Sequence, residues 1–245
     1  MCMKPSDNKY DPDFVAELFD RCSSNYRVWS AISSFGFVWL WRRQCIALVD
    51  PSVQQIDTIV DLMAGTGEVW PHVLRRFDQL KTIKAIDISH RMHVEALERI
   101  HRDYAEMISH EEANVLTAEL APGQADLVVS TFGLKTFNAE QQAILAKQIA
   151  RILKPGGHFA LIEASDPTGW IFRPLYRFYL DRVLPNVERF ILKGANDFSM
   201  IGDYTREFGD CSEMAQALRE EGLQVEFRRH FFGCATSVSG CRPQA

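Results

Sequence analysis

Asp61, Ala64, Gly65, Thr66, Gly67 and Asp87 are the residues whose types and spacing can do chemistry together. Residues 56–60 before them are apolar and β-branched, the pattern of a buried strand. Residues 69–77 after them carry the apolar spacing of a helix. The two glycines therefore stand where a strand turns into a helix. Glycine suits that place because the turn needs unusual dihedrals and a ligand must approach bare backbone. The first amides of the helix carry partial positive charge and suit an anionic group. A dinucleotide fingerprint needs a third glycine, and Trp70 stands in its place; no Gly-Lys-Ser/Thr follows, which excludes a P-loop. An acid inside the turn, Asp61, argues for a positive group on the ligand. A zwitterionic amino-acid tail satisfies both, with its carboxylate on the helix amides and its ammonium near Asp61. Asp87 ends the next apolar segment, 20 residues past Gly67, at the distance where an acid accepts from a ribose diol. Ile88 follows it. An amino-acid tail on a ribose describes S-adenosylmethionine.

The elements that must hold these residues follow from the rest of the chain. At 245 residues it is long enough for one α/β domain with a large core. A hydrophobic share of 47% is ordinary for a globular protein, and a net charge of −5 argues against a nucleic-acid partner held by phosphate contacts. The six cysteines form no Cys-x-x-Cys and no zinc spacing, which reads as reduced thiols in a cytoplasmic protein without a metal. The amino terminus lacks a signal peptide's apolar stretch, and the apolar run 35–41 is too short to span a bilayer.

Residues 14–19 have helical spacing, with Asp13 as their cap. The aromatic run 35–41 follows and ends in Arg42 and Arg43. It can lid an apolar pocket, lie on a membrane surface with its arginines near lipid headgroups, or simply pack on the domain. From residue 56 onward strands and helices alternate, the mark of a parallel sheet covered on both faces. Strands are expected at 58–63, 82–87, 111–116, 125–133 and 158–163, and helices at 67–77, 92–107, 139–153 and 213–221. Ser89, Asn138 and Ser212 serve as caps, and residues 154–157 are a stop. Asn114, at the end of the third strand, reads either as a turn cap or as a reader of an adenine edge. Residues 167–206 are an aromatic-rich insertion, and 223–232 with 235–239 form a final strand pair. The expected organisation is a helical lid over 1–55 and a Rossmann-like core over 56–245, with the insertion on the substrate side.

Seven strands in this order resemble the class I methyltransferase fold that uses S-adenosylmethionine. Residues 60–68, 85–92, 131–134, 151–157 and 175–179 are similar to the ubiquinone/menaquinone C-methyltransferase family, as are Phe19-Asp20-Arg21 with Tyr26, Ser34-Phe35-Gly36, and Arg206-Glu207-Phe208. The resemblance implies that Thr66, Asp87, Asn114 with Val115, and Thr131 contact the cofactor, and that the acceptor is a ring carbon of a polyprenylated quinol. The chain departs from the family where an Arg-Asn pair should follow Phe-Gly-Leu: Lys135 and Thr136 stand there. Phe198-Ser199-Met200 replaces a Tyr-x-Tyr, and Gly202 a proline. Arg and Lys are not interchangeable where a planar fork is needed, so the cofactor half fits better than the acceptor half.

Methyl transfer needs the acceptor aligned, water excluded and a phenol's charge managed. Tyr26 and Lys135 are the catalytic candidates, Lys135 as the cation for a phenolate. Asp203, Tyr204, Arg206, His72 and His158 follow behind them. Three readings stay open: methylation of a quinol-like aromatic, with S-adenosylhomocysteine as product; tailoring of a small secondary metabolite at carbon, oxygen or nitrogen; and a protein that binds the cofactor without transferring methyl. A peripheral membrane contact and a homodimer are compatible with all three.

Overall fold

The computed structural model describes residues 9–50, 55–104, 107–191 and 199–244. Seven strands form one sheet: β1 (Thr58–Leu62), β2 (Thr82–Asp87), β3 (Ile108–Glu112), β4 (Ala125–Thr131), β5 (Leu153–Ala164), β6 (Gln224–His230) and β7 (Ala235–Cys241). Their order is β3-β2-β1-β4-β5-β7-β6. The pairs from β3 to β5 are parallel, and β7 runs antiparallel to β5 and β6. β1 pairs with β2 on one side and β4 on the other, so the winding reverses there. A reversal of this kind leaves a crevice beyond the carboxyl ends of the strands. Asp61, the glycine turn and Asp87 lie on or just past those ends.

Parallel strands covered on both faces need unbroken apolar runs. Leu127, Val128 and Val129 on β4 are fully buried. One face packs on α5 (Ala139–Ile152) and α9 (Ser212–Glu220) through Leu145, Ile149, Met214 and Leu218. The other packs on α2 (Phe37–Ala47) and α3 (Trp70–Arg76) through Trp41, Ile46, Trp70 and Val73. Burying each such side chain is worth about 1.5–3 kcal/mol. A third cluster joins α1 (Pro12–Ser33) to the insertion through Leu18, Cys22, Trp29, Leu184 and Tyr204. The insertion folds as α6 (Arg173–Phe178), a π turn (Tyr179–Val183), α7 (Leu184–Ile191) and α8 (Ser199–Phe208). The side chains of Phe190 and Phe198, and also Cys2 and Pro51, lie outside the described residues.

Several boundaries differ from expectation. α1 is a single helix capped by Asp11, whose Oδ1 accepts from the amides of Asp13 and Phe14, because Pro12 sits in the first turn. The third strand lies three residues earlier than expected, since Ile108 and His110 carry its buried face. The helix after Ser89, α4 (His90–Arg99), passes into a π turn (Ile100–Tyr104). Residues 154–157 belong to β5 as a register shift, with Ala125 opposite Leu153 but Leu127 opposite His158. At α9 the amide of Ser212 is held by Asp210 Oδ1 at 2.9 Å, so Ser212 is not the cap. Asn138 does cap α5, in a full capping box with Gln141. No helix among the described residues is long and apolar enough to cross a membrane.

Candidate active site

Two cavities, which share no lining residue, bear on the site. The first is lined by Ala64, Gly65, Asp87, Ile88, Asn114, Val115 and Thr131. The sequence places every one of these in the cofactor site. One stripe of α1, consisting of Pro12, Val15, Phe19 and Tyr26, forms its roof. Asp20 fastens that roof: its Oδ1 accepts from Ser89 Oγ at 2.6 Å and from the Arg91 amide at 3.0 Å.

Asp61, Thr66 and Gly67 lie behind the lining. α3 starts at Trp70, three residues later than expected, because residues 65–69 form successive turns. Gly67 has φ +81°, and a Cβ there would lie 2.4 Å from the Trp70 ring. Trp70 is fully buried, and its Nε1–H donates to Asp61 Oδ2 at 2.9 Å. The residue that rules out a dinucleotide turn thus holds the acid of this one. Asp61 Oδ1 is buried and has no hydrogen-bond partner among the described residues. Burial pushes the Asp61 carboxyl up to about 8, with Asp87 and Glu68 adding to the rise and the Trp70 hydrogen bond and Arg42 opposing it. Thr66 Oγ1 donates to Glu68, and Arg99 donates to the Thr66 carbonyl.

Asp87 is preset by the backbone. Oδ2 accepts from the Gly65 amide at 2.7 Å and Oδ1 from the Ser89 amide at 2.9 Å. Each oxygen keeps a further lone pair. Burial raises its carboxyl to about 6, against those two amides. Asn114 acts as a turn cap, its Oδ1 accepting from the Leu116 amide at 2.9 Å, and it lines the cavity. Behind the glycine turn, His110 Nε2 lies 3.1 Å from the Gly65 carbonyl oxygen, and its Nδ1 lies 2.9 Å from His93 Nδ1. A carbonyl only accepts, so Nε2 carries the proton and Nδ1 accepts from His93. Burial holds His110 down at about 4, in its neutral form.

The catalytic candidates separate. Tyr26 lines the cavity, and its phenol is raised well above the ordinary value, chiefly by burial. It is a neutral hydrogen-bonding group there, not a base. Lys135 is 6% exposed and does not line the cavity; its Nζ donates to Glu163 Oε1 at 2.7 Å, and its amide to Oε2 at 3.2 Å. Its cation is spent on a fully buried carboxylate at the end of β5. Asp203 and Arg206 pair with each other, Tyr204 is core, His72 packs on the Trp39 ring at 5.2 Å, and His158 sits in β5. None of these five lines the first cavity.

Arg42 was missed. It does not face lipid headgroups but is 5% exposed and lines the first cavity, while Arg43 is exposed. Val38, Trp41, Arg42, Cys45 and Ile46 form the buried stripe of α2 at spacing i, i+3, i+4, i+7, i+8. An arginine on an apolar stripe was the available signal.

The second cavity, of about 420 Å³, is walled by α2 and the insertion, with Phe37, Trp41, Trp170, Tyr176, Tyr179 and Leu184 among its lining. Phe132, with φ +69°, lines the first cavity and touches a wall of the second: the Arg42 guanidinium lies 5.3 Å and the Trp41 ring 6.2 Å from its ring. Among the described residues no three His, Cys, Asp or Glu side chains gather as a metal site.

A family model described as the ubiE/COQ5 methyltransferase family matches residues 3–242. The chain is 26% identical over 245 residues to a demethylmenaquinone methyltransferase of Lactococcus lactis, covering all of this chain and 96% of that protein. It is 28% identical over 235 residues to the ubiquinone/menaquinone biosynthesis C-methyltransferase UbiE of Rubrivivax gelatinosus, covering 94% and 88%. Its fold is shared with an O-methyltransferase family protein from Burkholderia thailandensis, at TM-score 0.61 and 23% identity over 92% of this chain; the chain spans 62% of that protein's length.

Proposed function

Since the chain belongs to the ubiE/COQ5 methyltransferase family, we propose that it transfers the methyl group of S-adenosylmethionine to a ring carbon of a quinol-like aromatic bearing an apolar tail. The observation that carries this is that the cleft holding Asp87 and Asn114 and a separate apolar cavity lie on the two sides of the Phe132–Trp41 ring contact. Adjacent residues of α2 serve the two sides, Arg42 the cleft and Trp41 the cavity.

When bound, the cofactor would supply an electrophilic methyl on sulfur and leave as S-adenosylhomocysteine, while the proton of the methylated ring carbon is released to solvent. The residues of this chain bind and orient. Asp87 accepts from the ribose hydroxyls with the lone pairs that Gly65 and Ser89 leave over. Asn114 and Val115 border the adenine, Thr131 and Ala64 flank the reacting end, and Gly65 gives the close backbone approach. Tyr26, a neutral phenol, donates to an acceptor oxygen. α1 and α2 exclude water, so alignment supplies about 7–11 kcal/mol of barrier reduction. Lys135 positions this frame through Glu163 without touching the acceptor.

The mouth of the apolar cavity supports a peripheral membrane contact that delivers the acceptor. Phe35, in its lining, is 73% exposed; Ile171, between the lining residues Trp170 and Phe172, is 83% exposed, and Phe232, stacked on Trp170, is 66% exposed. Phe35 and Phe232 hold positive φ, a strained conformation for bulky residues. Sedimentation with anionic vesicles tests the contact: F35S/F232S leaves the protein in the supernatant, whereas equal pelleting of both proteins rejects it.

Labelled S-adenosylmethionine incubated with a lipid extract and with a small-molecule panel tests the reaction. Label in a prenylated quinone supports it. Label only in a polar metabolite favours a tailoring enzyme, the reading that the Lys135-Thr136 departure favours. No label, with the cofactor still bound, leaves a binding protein. In calorimetry, Asp87→Asn should weaken S-adenosylhomocysteine about 10- to 100-fold, the loss of a charged acceptor; an unchanged affinity removes Asp87 from the site.

A further inference from the structure

We propose that Gly202 sets how long an apolar tail the second cavity accepts, by keeping open a space that any side chain at that position would fill; this rests on the apolar-tailed acceptor proposed above. The lining of the cavity divides in two. Phe35, Leu175 and Phe178 are exposed and mark its mouth. Trp29, Leu184 and Thr205 are buried and mark a deep wall, where α1 meets the insertion in the third cluster. Gly202 and Thr205 both line the cavity from α8, and their spacing of i, i+3 puts them on one face of that helix. Gly202 therefore belongs to the deep wall, where a tail entering from the mouth is stopped by packed side chains.

The local structure does not call for a glycine there. Gly202 lies inside α8 and is not among the glycines with positive φ. Beyond its own helix, a Cβ at this position would meet one atom within 4 Å among the described residues, the Leu180 carbonyl oxygen at 3.8 Å, which is an ordinary contact. Gly67 is the opposite case, since a Cβ there runs into the Trp70 ring. A glycine inside a helix weakens it relative to alanine, so position 202 bears a cost that neither backbone nor packing explains. What a side chain would remove is the space beside Gly202, and the cavity that the residue lines includes that space. Each methylene taken out of water strengthens binding about fourfold. A tail thus gains from every carbon it adds up to the deep wall and from none beyond it, and the depth of the wall becomes a measure of chain length.

Quenching of tryptophan fluorescence in the full chain by alkyl-hydroquinones of increasing chain length tests this without turnover, since Trp29, Trp41 and Trp170 line the cavity. In the wild type, affinity should climb with each methylene and then level off. In G202L the plateau should come at a shorter chain: the shortest tails bind as before, and the longest lose about 15-fold, the value of two methylenes. G202A should move the plateau by less, and it serves if G202L does not fold, because alanine favours the helix. The same plateau in all three proteins, or an equal loss at every chain length in G202L, overturns the inference. A wild type whose affinity ignores chain length overturns the apolar-tailed acceptor and the inference with it. The expected pattern of binding without methyl transfer to the same hydroquinones supports Gly202 in this role and overturns the reaction proposed above.

Discussion

The two cavities are built on opposite plans. On the donor side nearly every polar group is already spoken for by the chain itself: Asp87 by two amides, Glu68 by arginines and Thr66, the Gly65 carbonyl by His110. On the acceptor side the walls are rings and aliphatic chains, and large apolar side chains reach solvent at the mouth. A frame fixed by hydrogen bonds fails when one partner is removed, because a buried group is left unpaired. A surface held by contact area degrades by increments. The donor side is therefore the intolerant half of the molecule, and the acceptor side is the half where a change of substrate costs little stability.

The sharpest way to break this contrast is Lys135→Met. It leaves Glu163 buried without its cation and should cost about 3–5 kcal/mol in denaturant unfolding. K135M/E163Q should recover most of that. Lost methyl transfer with unchanged stability would mean that the ammonium reaches the acceptor after all.

Next is Gly67→Ala. Its Cβ collides with the Trp70 ring at a φ that side chains rarely adopt, and about 2–4 kcal/mol should be lost. Gly36→Ala, at φ +78° in open space beside the acceptor cavity, bears only the backbone strain and should cost about 1 kcal/mol. Equal losses would erase the distinction between the halves.

The third test is acid. His110 sits near 4 in the fold against 6.5 in the unfolded chain. Above pH 6.5 both states are neutral; below it the unfolded state takes the proton first, so stability falls as the pH drops towards 4. Between pH 7.5 and 5 this amounts to about 2 kcal/mol. Melts of the wild type and of His110→Gln at both values should show a gap that narrows in the variant.

The smallest effect belongs to the acceptor wall. Leu175→Ala, at a 64% exposed position, should leave stability and cofactor affinity untouched. It should raise KM for an apolar-tailed acceptor several-fold, about 1 kcal/mol of lost contact. A weakened cofactor affinity would show that the cavities are not independent.

The donor side was also the legible half. Alternation of apolar strands and capped helices gives the sheet and its winding, and seven cofactor positions chosen from the sequence line one cavity. What stayed hidden is what depends on partners distant in sequence. Asp61 reads as a ligand's acid, but half of it belongs to Trp70. Lys135 reads as a free cation because Glu163 is 28 residues away. Arg42 reads as surface beside Arg43, although the stripe from Val38 to Ile46 holds it inside. The third strand shifted because an inward histidine, His110, carries no apolar signal.

The Asp20 clasp joins two layers of the molecule. By gripping Ser89 and Arg91 it fixes the roof helix to the stretch just beyond Asp87. The Arg27–Glu68 pair and the hydrogen bond from the Tyr179 hydroxyl to the Ser33 carbonyl hold the same helix farther along. A displacement of α1 must therefore break contacts to the sheet side and to the insertion together.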